Sequence, residues 1–361
     1  MSEIVFILGA GASKEAGAPL MADFLEKADE LRKSNKAGEN AGEFKPDFDA
    51  VFNAISALQP VHSKSELDLD NIESVFAAFE MGRLINSFPD LSKNNPDSLL
   101  LSMRRLIYKT LEKTILYPVR NELVYPPDSY HKFAELVTKL NANVNSNRCS
   151  IITFNYDIAL DYALNFHTLP ANYCLSQNFE QGHINLFKLH GSLNWAKCSK
   201  CGEIVPLTIK HYFQKYHFPF LHDVKSVCLD FASKLSSVGL MHCQEYIQSE
   251  PFIIPPTWNK MSHQQDLSKV WSRAASELTN AESIFVLGYS LPDSDLFFRY
   301  FFALGSVGPT RIKRFWVFDP DKERVSPRFQ NLVGAGTKTK FAFHTLPFSE
   351  AINFITQDFI S

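Results

Sequence analysis

The chain has 361 residues, 45% of them apolar and 21% charged, with a formal net charge of −3 from 36 basic and 39 acidic side chains. That composition excludes a disordered, collagenous or coiled-coil protein, and its balanced charge gives no global footprint for nucleic acid. The 31 phenylalanines, against 4 tryptophans and 12 tyrosines, imply an extensive core and suit a subunit interface as well.

Met1-Ser2-Glu3 leads straight into the apolar run Ile4 to Leu8, without the basic region and cleavage site of a signal peptide. No uncharged apolar stretch approaches the ~18 residues of a membrane span, so a cytoplasmic protein is expected. The run stops at Gly9-Ala10-Gly11-Ala12-Ser13. Leu25 to Arg32 follows with helical spacing, and Ser34 to Glu43 is a polar loop or linker. Phe48 to Leu58, Ile72 to Phe88 and Leu99 to Leu116 again carry apolar residues at helical spacing. Residues 34–148 therefore read as a mostly helical insertion.

Strand-like runs then resume, each ending abruptly on polar or small residues. Ser150 to Phe154 ends at Asn155-Tyr156-Asp157, and Ile184 to Leu189 ends at His190-Gly191-Ser192. A second insertion, 196–250, opens with the C-x-x-C of Cys198 and Cys201. After a helical pattern from Gln264 to Leu278, Ile284 to Leu287 ends at Gly288-Tyr289-Ser290. Leu296 to Leu304 is again helical, and Phe315 to Phe318 ends at Asp319-Pro320-Asp321. Runs rich in Ile, Val and Phe, alternating with helices, predict an α/β fold: a Rossmann-like parallel sheet covered on both faces. Its core comprises 1–33, 149–195 and 251–361. Ligands of such sheets bind outside the carboxyl ends of the strands, where these polar residues stand.

Gly9 to Ser13 begins a helix directly after a strand, a geometry that suits a pyrophosphate through close approach and helix dipole. A tight turn without ligand is the other reading. The third glycine of the dehydrogenase fingerprint is missing, and no acidic strand end follows about 20 residues later. A dehydrogenase is disfavoured.

Taken in order, the strand ends resemble the sirtuins. Gly9-Ala10-Gly11-Ala12-Ser13 with Gly17-Ala18-Pro19 is similar to their opening motif, and Thr153-Phe154-Asn155-Tyr156-Asp157 to their Thr-Gln-Asn-Ile-Asp segment. Leu189-His190-Gly191-Ser192 resembles their His-Gly motif, Cys198-Ser199-Lys200-Cys201 half of their zinc site, and Gly288-Tyr289-Ser290-Leu291-Pro292 their Gly-Thr-Ser-Leu segment. Phe318-Asp319-Pro320 stands where sirtuins carry an Asn that meets the adenosine ribose. Sirtuin deacylases have a Phe-Gly-Glu loop that pairs with an acyl-lysine peptide. Here Phe252-Ile253-Ile254-Pro255-Pro256-Thr257-Trp258 replaces it, and prolines remove backbone donors. The wording around Asn155 and His190, with the helical insertion, resembles sirtuin-like NAD-cleaving effectors of bacterial anti-phage defence, some accompanied by HerA-like ATPases.

That resemblance implies an NAD glycohydrolase releasing nicotinamide and ADP-ribose. Nicotinamide leaves as a neutral base, so the enzyme must stabilise an oxocarbenium-like ribose and position water. Asn155 would hold water or a ribose hydroxyl, Asp157 would orient Asn155 or face the developing charge, and His190 would accept a proton. Each also has a plain role: a turn or core histidine for His190, an Asx-turn or helix cap for Asn155 and Asp157. Gly9, Ala10, Gly11, Ala12, Ser13, Gly288, Ser290 and Asp319 are the implied NAD contacts. Ser290 is equally a turn serine, and Asp319 a cap.

Cys198 and Cys201 suit zinc better than redox chemistry, with Cys228, Cys243, His242 and His217 as further ligand candidates and a metal-free remnant as the alternative. An NAD-dependent deacylase and a non-enzymatic NAD- or ADP-ribose-binding subunit are the competing functions. An unrestrained NADase would kill its cell, so control by homo-oligomerisation or a HerA-like partner is expected. Phe48, Phe52, Phe76, Phe79 and Phe88 would then line a contact surface or pack the insertion's own core.

Overall fold

The five apolar runs become strands that are largely buried on both faces, one of them with the buried charge of Lys188. Two short half-buried strands not evident from sequence, Ala171–Asn172 and Phe341–His344, join them at the edges. In the computed structural model, which describes residues 3–34, 41–60, 66–89, 95–142, 149–176, 182–216, 218, 221–256, 265–292, 295–308 and 310–360, they build one seven-stranded parallel sheet. Its strands in chain order are β1 (Ile4–Leu8), β2 (Cys149–Thr153), β3 (Ala171–Asn172), β4 (Ile184–Lys188), β5 (Ser283–Leu287), β6 (Arg314–Phe318) and β7 (Phe341–His344). The spatial order is β7-β6-β5-β1-β2-β4-β3. Ile4 pairs with both Cys149 and Ser283, and Leu8 with Thr153 and Leu287. Thr153 in turn faces Lys188, and Leu287 faces Phe318. The strands thus end level with one another.

Alternation divides the core. Ile4, Phe6 and Leu8 pack into one apolar layer and Val5 and Ile7 into the other. The expected α/β architecture with helices on both faces is what forms. The helices named below are α1 (Ala10–Lys14), α2 (Phe24–Lys33), α3 (Ala41–Leu58), α4 (Ile72–Leu84), α5 (Pro96–Thr114), α6 (Asp128–Asn141), α7 (Ala159–Phe166), α8 (Ser268–Asn280), α9 (Leu296–Gly305), α10 (Lys322–Gln330) and α11 (Phe348–Ile360). On the β1 Phe6 side lie α6, whose Phe133 meets the Phe6 ring edge-on at 5.1 Å, and α11 through Phe348. The opposite layer takes α8, α9 and α10.

Local chemistry sets the helix ends. Asn71 and Asn95 cap α4 and α5 by accepting from the N–H of Glu73 and Asp97, and Pro96 opens α5. Periodicity predicted that α4 runs to Phe88, but it stops at Leu84. Asn86 takes φ 49°, and the chain folds Phe88 back against Phe79 and over Gly82, where a Cβ would lie 2.7 Å from the Phe88 ring. The loop expected from Ser34 is helical from Ala41 onward, and residues 35–40, like Gln264, lie outside the described residues.

Phe48, Phe76, Phe79 and Phe88 are buried within the packed helices, and Phe52 is half-buried beneath the Arg32 guanidinium. These rings pack a core. They form no open contact surface. Trp195–Lys197 and Ile204–Pro206 make an antiparallel hairpin whose turn carries Cys198 and Cys201. Ser226–Val227 pairs with Tyr117–Arg120, joining the second inserted stretch to the first. No helix among the described residues is long and apolar enough to cross a membrane.

Candidate active site at the strand ends

Because the sheet is parallel and in register, the segments after Phe318, Leu287, Leu8, Thr153 and Lys188 emerge side by side along one edge. Asp319, Gly288–Ser290, Gly9–Ser13, Asn155–Asp157 and His190 therefore line up in that order across the sheet. After β1 the chain builds β2, β3 and β4 on one side, then returns to build β5, β6 and β7 on the other. The gap between β1 and β5 is thus the switch point where such sheets form a crevice.

At that point two turns press together. A Cβ on Gly9 would lie 2.6 Å from Tyr289 Cα, one on Gly11 2.8 Å from Gly288 Cα, and one on Gly288, at φ 61°, 2.4 Å from the Ala12 nitrogen. Glycine is required at all three because backbone meets backbone. The N–H groups of Gly9, Gly11 and Ala12 donate to the carbonyls of Leu287, Gly288 and Gly9. Of the amides read from sequence as a pyrophosphate cradle, those of Gly9 and Gly11 hold the two turns together in this structure, and that of Ala12 closes its own turn.

Ser13, on α1 beside Ala10, is buried and its hydroxyl is fully used. It donates to Asp157 Oδ2 at 2.7 Å and accepts from Asn155 Nδ2 at 2.9 Å and from the Tyr130 hydroxyl at 2.7 Å. Asn155 Nδ2 also donates to the Gly9 carbonyl at 2.8 Å. With its amino group directed inward, the carbonyl oxygen is what Asn155 offers a ligand. Asp157 accepts from the Ala159 N–H through Oδ1, the Asx-turn role that opens α7. Burial pushes its carboxyl above the usual range, while Lys188 and Ser13 oppose that rise. Lys188 donates to the Asp157 carbonyl and to Asp161 Oδ2 at 2.9 Å, and Tyr173 donates to Asp161 Oδ1 at 2.6 Å. Every charge in this buried network has partners.

His190 is 8% exposed. Its Nε2 lies 3.5 Å from Asp295 Oδ1, and Tyr289 donates to Asp295 Oδ2 at 3.0 Å. Phe154 meets the imidazole edge-on at 5.1 Å and stacks on Tyr289 with ring centroids 4.2 Å apart. Gly191 takes φ 84°, and a Cβ there would strike the Phe252 carbonyl at 2.2 Å. The segment Phe252–Ile254 is the reason. Phe252 N–H donates to Trp195, Ile254 N–H to His190, and Ser192 N–H to Phe252. Tyr156 caps it by donating to the Ile254 carbonyl at 2.6 Å. Thr257 and Trp258 lie outside the described residues.

Asp319 is buried, accepts from the Asp321 N–H at 2.8 Å, and has its carboxyl raised by burial. Its turn role is thus realised. Ser290 is half-buried, with its carbonyl accepting from Arg328. A cleft of about 980 Å³ lined by Tyr173, Cys201, Ile204, His242 and Lys269 includes none of these strand-end side chains except through Asp161 of the buried network.

Donor atoms of Cys198, Cys201, His242 and Cys243 all lie within 4.8 Å of one another, with His242 Nδ1 3.4 Å from both Cys201 and Cys243 Sγ. The N–H of Cys201, with His242 and Lys200 assisting, lowers the Cys198 thiol to about 6, favouring the thiolate a metal needs. Three sulfurs and one imidazole fit tetrahedral zinc. Cys228 lies elsewhere, its thiol directed at the Lys113 carbonyl, and His217 is outside the described residues. Tyr130 and Asp295 were not singled out from sequence. Tyr130 has no local signal, whereas Asp295 offered one: an acid just beyond a strand-end motif at a helix start.

Residues 149–336 match the SIR2-like domain. No curated protein matches the chain. Among solved structures, a serine-to-alanine mutant of a Sir2 homologue in complex with ADP-ribose is 16% identical, with 98% of this chain and 90% of that chain covered and a TM-score of 0.39. A Sir2 homologue–NAD complex is 14% identical, with 98% and 88% covered and a TM-score of 0.39.

Proposed function

This chain belongs to the SIR2-like domain family, and from that premise we propose that it is an NAD glycohydrolase, cleaving NAD with water to nicotinamide and ADP-ribose. The observation that carries the choice of water over an acyl-lysine peptide is the backbone pairing of Phe252–Ile254 with His190–Trp195. Donors that a peptide strand would need there are already used. In this reading the bond from ribose to nicotinamide breaks with its electron pair going to the ring nitrogen. Asn155 presents its carbonyl oxygen to the water or a ribose hydroxyl. The His190 imidazole takes the proton that water loses, and the Asp295 carboxylate beside Nε2 stabilises the imidazolium. Gly9, Ala10, Gly11, Ala12, Ser13, Gly288, Ser290 and Asp319 frame the crevice for the dinucleotide. Cys198, Cys201, His242 and Cys243 would hold a structural zinc that pins the hairpin turn.

Nicotinamide release by purified protein tests the reading. Asn155→Ala and His190→Ala are each expected to lower it by about 100-fold or more while the circular dichroism of the fold is retained. Full turnover by either folded variant, or turnover of an acyl-lysine peptide in place of hydrolysis, overturns the assignment.

The resemblance to anti-phage effectors supports a cytoplasmic NAD-depleting role restrained by assembly, with a second copy or a HerA-like ATPase. Since the insertion's phenylalanines are internal, apolar side chains left exposed, such as Leu84, Ile85, Tyr300 and Leu304, are the ones available to such contacts. Sedimentation is expected to show self-association, or association with that partner, that changes the rate. A strict monomer, fully active by itself at micromolar concentration, contradicts it.

A further inference from the structure

We propose that His131, Glu135 and His167 form a second metal site, distinct from the cysteine cluster, for a borderline divalent cation such as Zn²⁺. His131 and Glu135 stand four residues apart on α6 and so project from one face of that helix. His167 closes the neighbouring α7, its N–H bonded to the Ala163 carbonyl. The two helices pack so that His131 Nδ1 lies 3.0 Å from His167 Nε2, and His131 Nε2 lies 3.6 Å from Glu135 Oε1. One donor atom from each of the three residues falls within 4.8 Å of the other two.

Two imidazoles and one carboxylate are a donor set that zinc, cobalt and nickel accept. Bonds of about 2.0–2.2 Å from a tetrahedral ion place its ligands roughly 3.3 Å apart, so the imidazole pair already has that spacing and Glu135 needs a side-chain rotation. The fourth position falls to water. Phe166 packs at 5.7 Å from the His131 ring and 5.8 Å from the His167 ring, and Tyr125 stands 6.3 Å from His131. These rings flank the imidazoles near the surface, Phe166 being itself exposed and Tyr125 half-buried. Solvent reaches the donors, since the His131 and Glu135 side chains are 24% and 46% exposed. A cation here would bridge α6, which places Tyr130 against Ser13, to α7, which starts on Asp157.

The full chain, stripped with chelator, reloaded with excess Zn²⁺ and dialysed, is compared by elemental analysis with His131→Ala/His167→Ala. The wild type is expected to retain one more equivalent of zinc per chain than the variant. Reloading with Co²⁺ separates the two sites, because thiolate-to-metal absorption reports only the cysteine cluster. That band is expected to be unchanged in the variant. Glu135→Gln should weaken the extra equivalent by at least about ten-fold. His167→Gln, at the end of α7, is the second variant should the double substitution disturb folding. Equal zinc content in wild type and both histidine variants overturns the proposal.

Discussion

His190 owes its setting to side chains from distant parts of the chain. Gly191 lets the Phe252–Ile254 segment lie against it, Phe154 fixes one edge of the ring, and Asp295 faces Nε2. Asp295 is itself buried and held by the Tyr289 hydroxyl, so in the proposed reaction it would act as a positioning residue through the imidazole. For Asp295→Asn, kcat for nicotinamide release is expected to fall about 100-fold, with KM for NAD little changed. Asp295→Glu should recover part of the loss. Steady-state kinetics on the folded variants decide it: equal damage to KM and kcat, or none to either, removes Asp295 from this role.

At the scale of elements, the junction between β4 and α7 rests on a buried ion pair. Lys188 and Asp161 are each 1% exposed, and each has further hydrogen-bond partners. Such a pair adds little net stability over apolar packing, but leaving one charge alone in the interior is costly. Lys188→Met is therefore expected to lower unfolding free energy by about 3–5 kcal/mol, and adding Asp161→Leu to restore much of it. Urea denaturation measures both, and a single variant within about 1 kcal/mol of wild type would show the pair to be dispensable. The proposed division into a core, a helical insertion of 34–148 and a small module of 196–250 has its own elements to accommodate. Within the first stretch, α6 lies directly on β1 and reaches the strand-end site through Tyr130.

Across the whole molecule, Glu112 of α5 joins the two inserted stretches. Its carboxyl accepts from the N–H groups of Ala232 and Ser233 and from the Ser233 hydroxyl, at the start of the short helix Phe231–Lys234. Burial raises its pKa from 4.5 to about 7, against the pull of those donors. A carboxyl raised in the fold stabilises it fully below the unfolded value, and that contribution is lost as the pH climbs through about 7. Thermal unfolding of the wild type should therefore show a loss on the order of 2–3 kcal/mol between about pH 5 and pH 8.5. Glu112→Gln, which cannot ionise, is expected to flatten that decline. A wild type and a variant with parallel pH profiles would assign the decline to other groups.

Five of the seven strands, and the polar residues that close them, were legible in the sequence, because burial on both faces demands local runs of Ile, Val and Phe. Those runs also order the motifs, and a parallel sheet leaves their ends on one edge. The two outermost strands, Ala171–Asn172 and Phe341–His344, are short and only half-buried, so that signal is weak there. Helix extent was less legible: the left-handed turn at Asn86 exists because Phe88 has a place to pack against Phe79, a neighbour periodicity cannot see. Only the tertiary structure decided what each site residue touches. Ser13 meets Asp157 across 144 positions of sequence, and His190 meets Asp295 from another strand end. The glycines of two separate motifs turned out to be required by each other's backbone. His131 and His167 became neighbours through the crossing of two helices. Periodicity records which face of an element is buried, whereas partners across the sheet are chosen by strand order and register, which no local stretch of residues encodes.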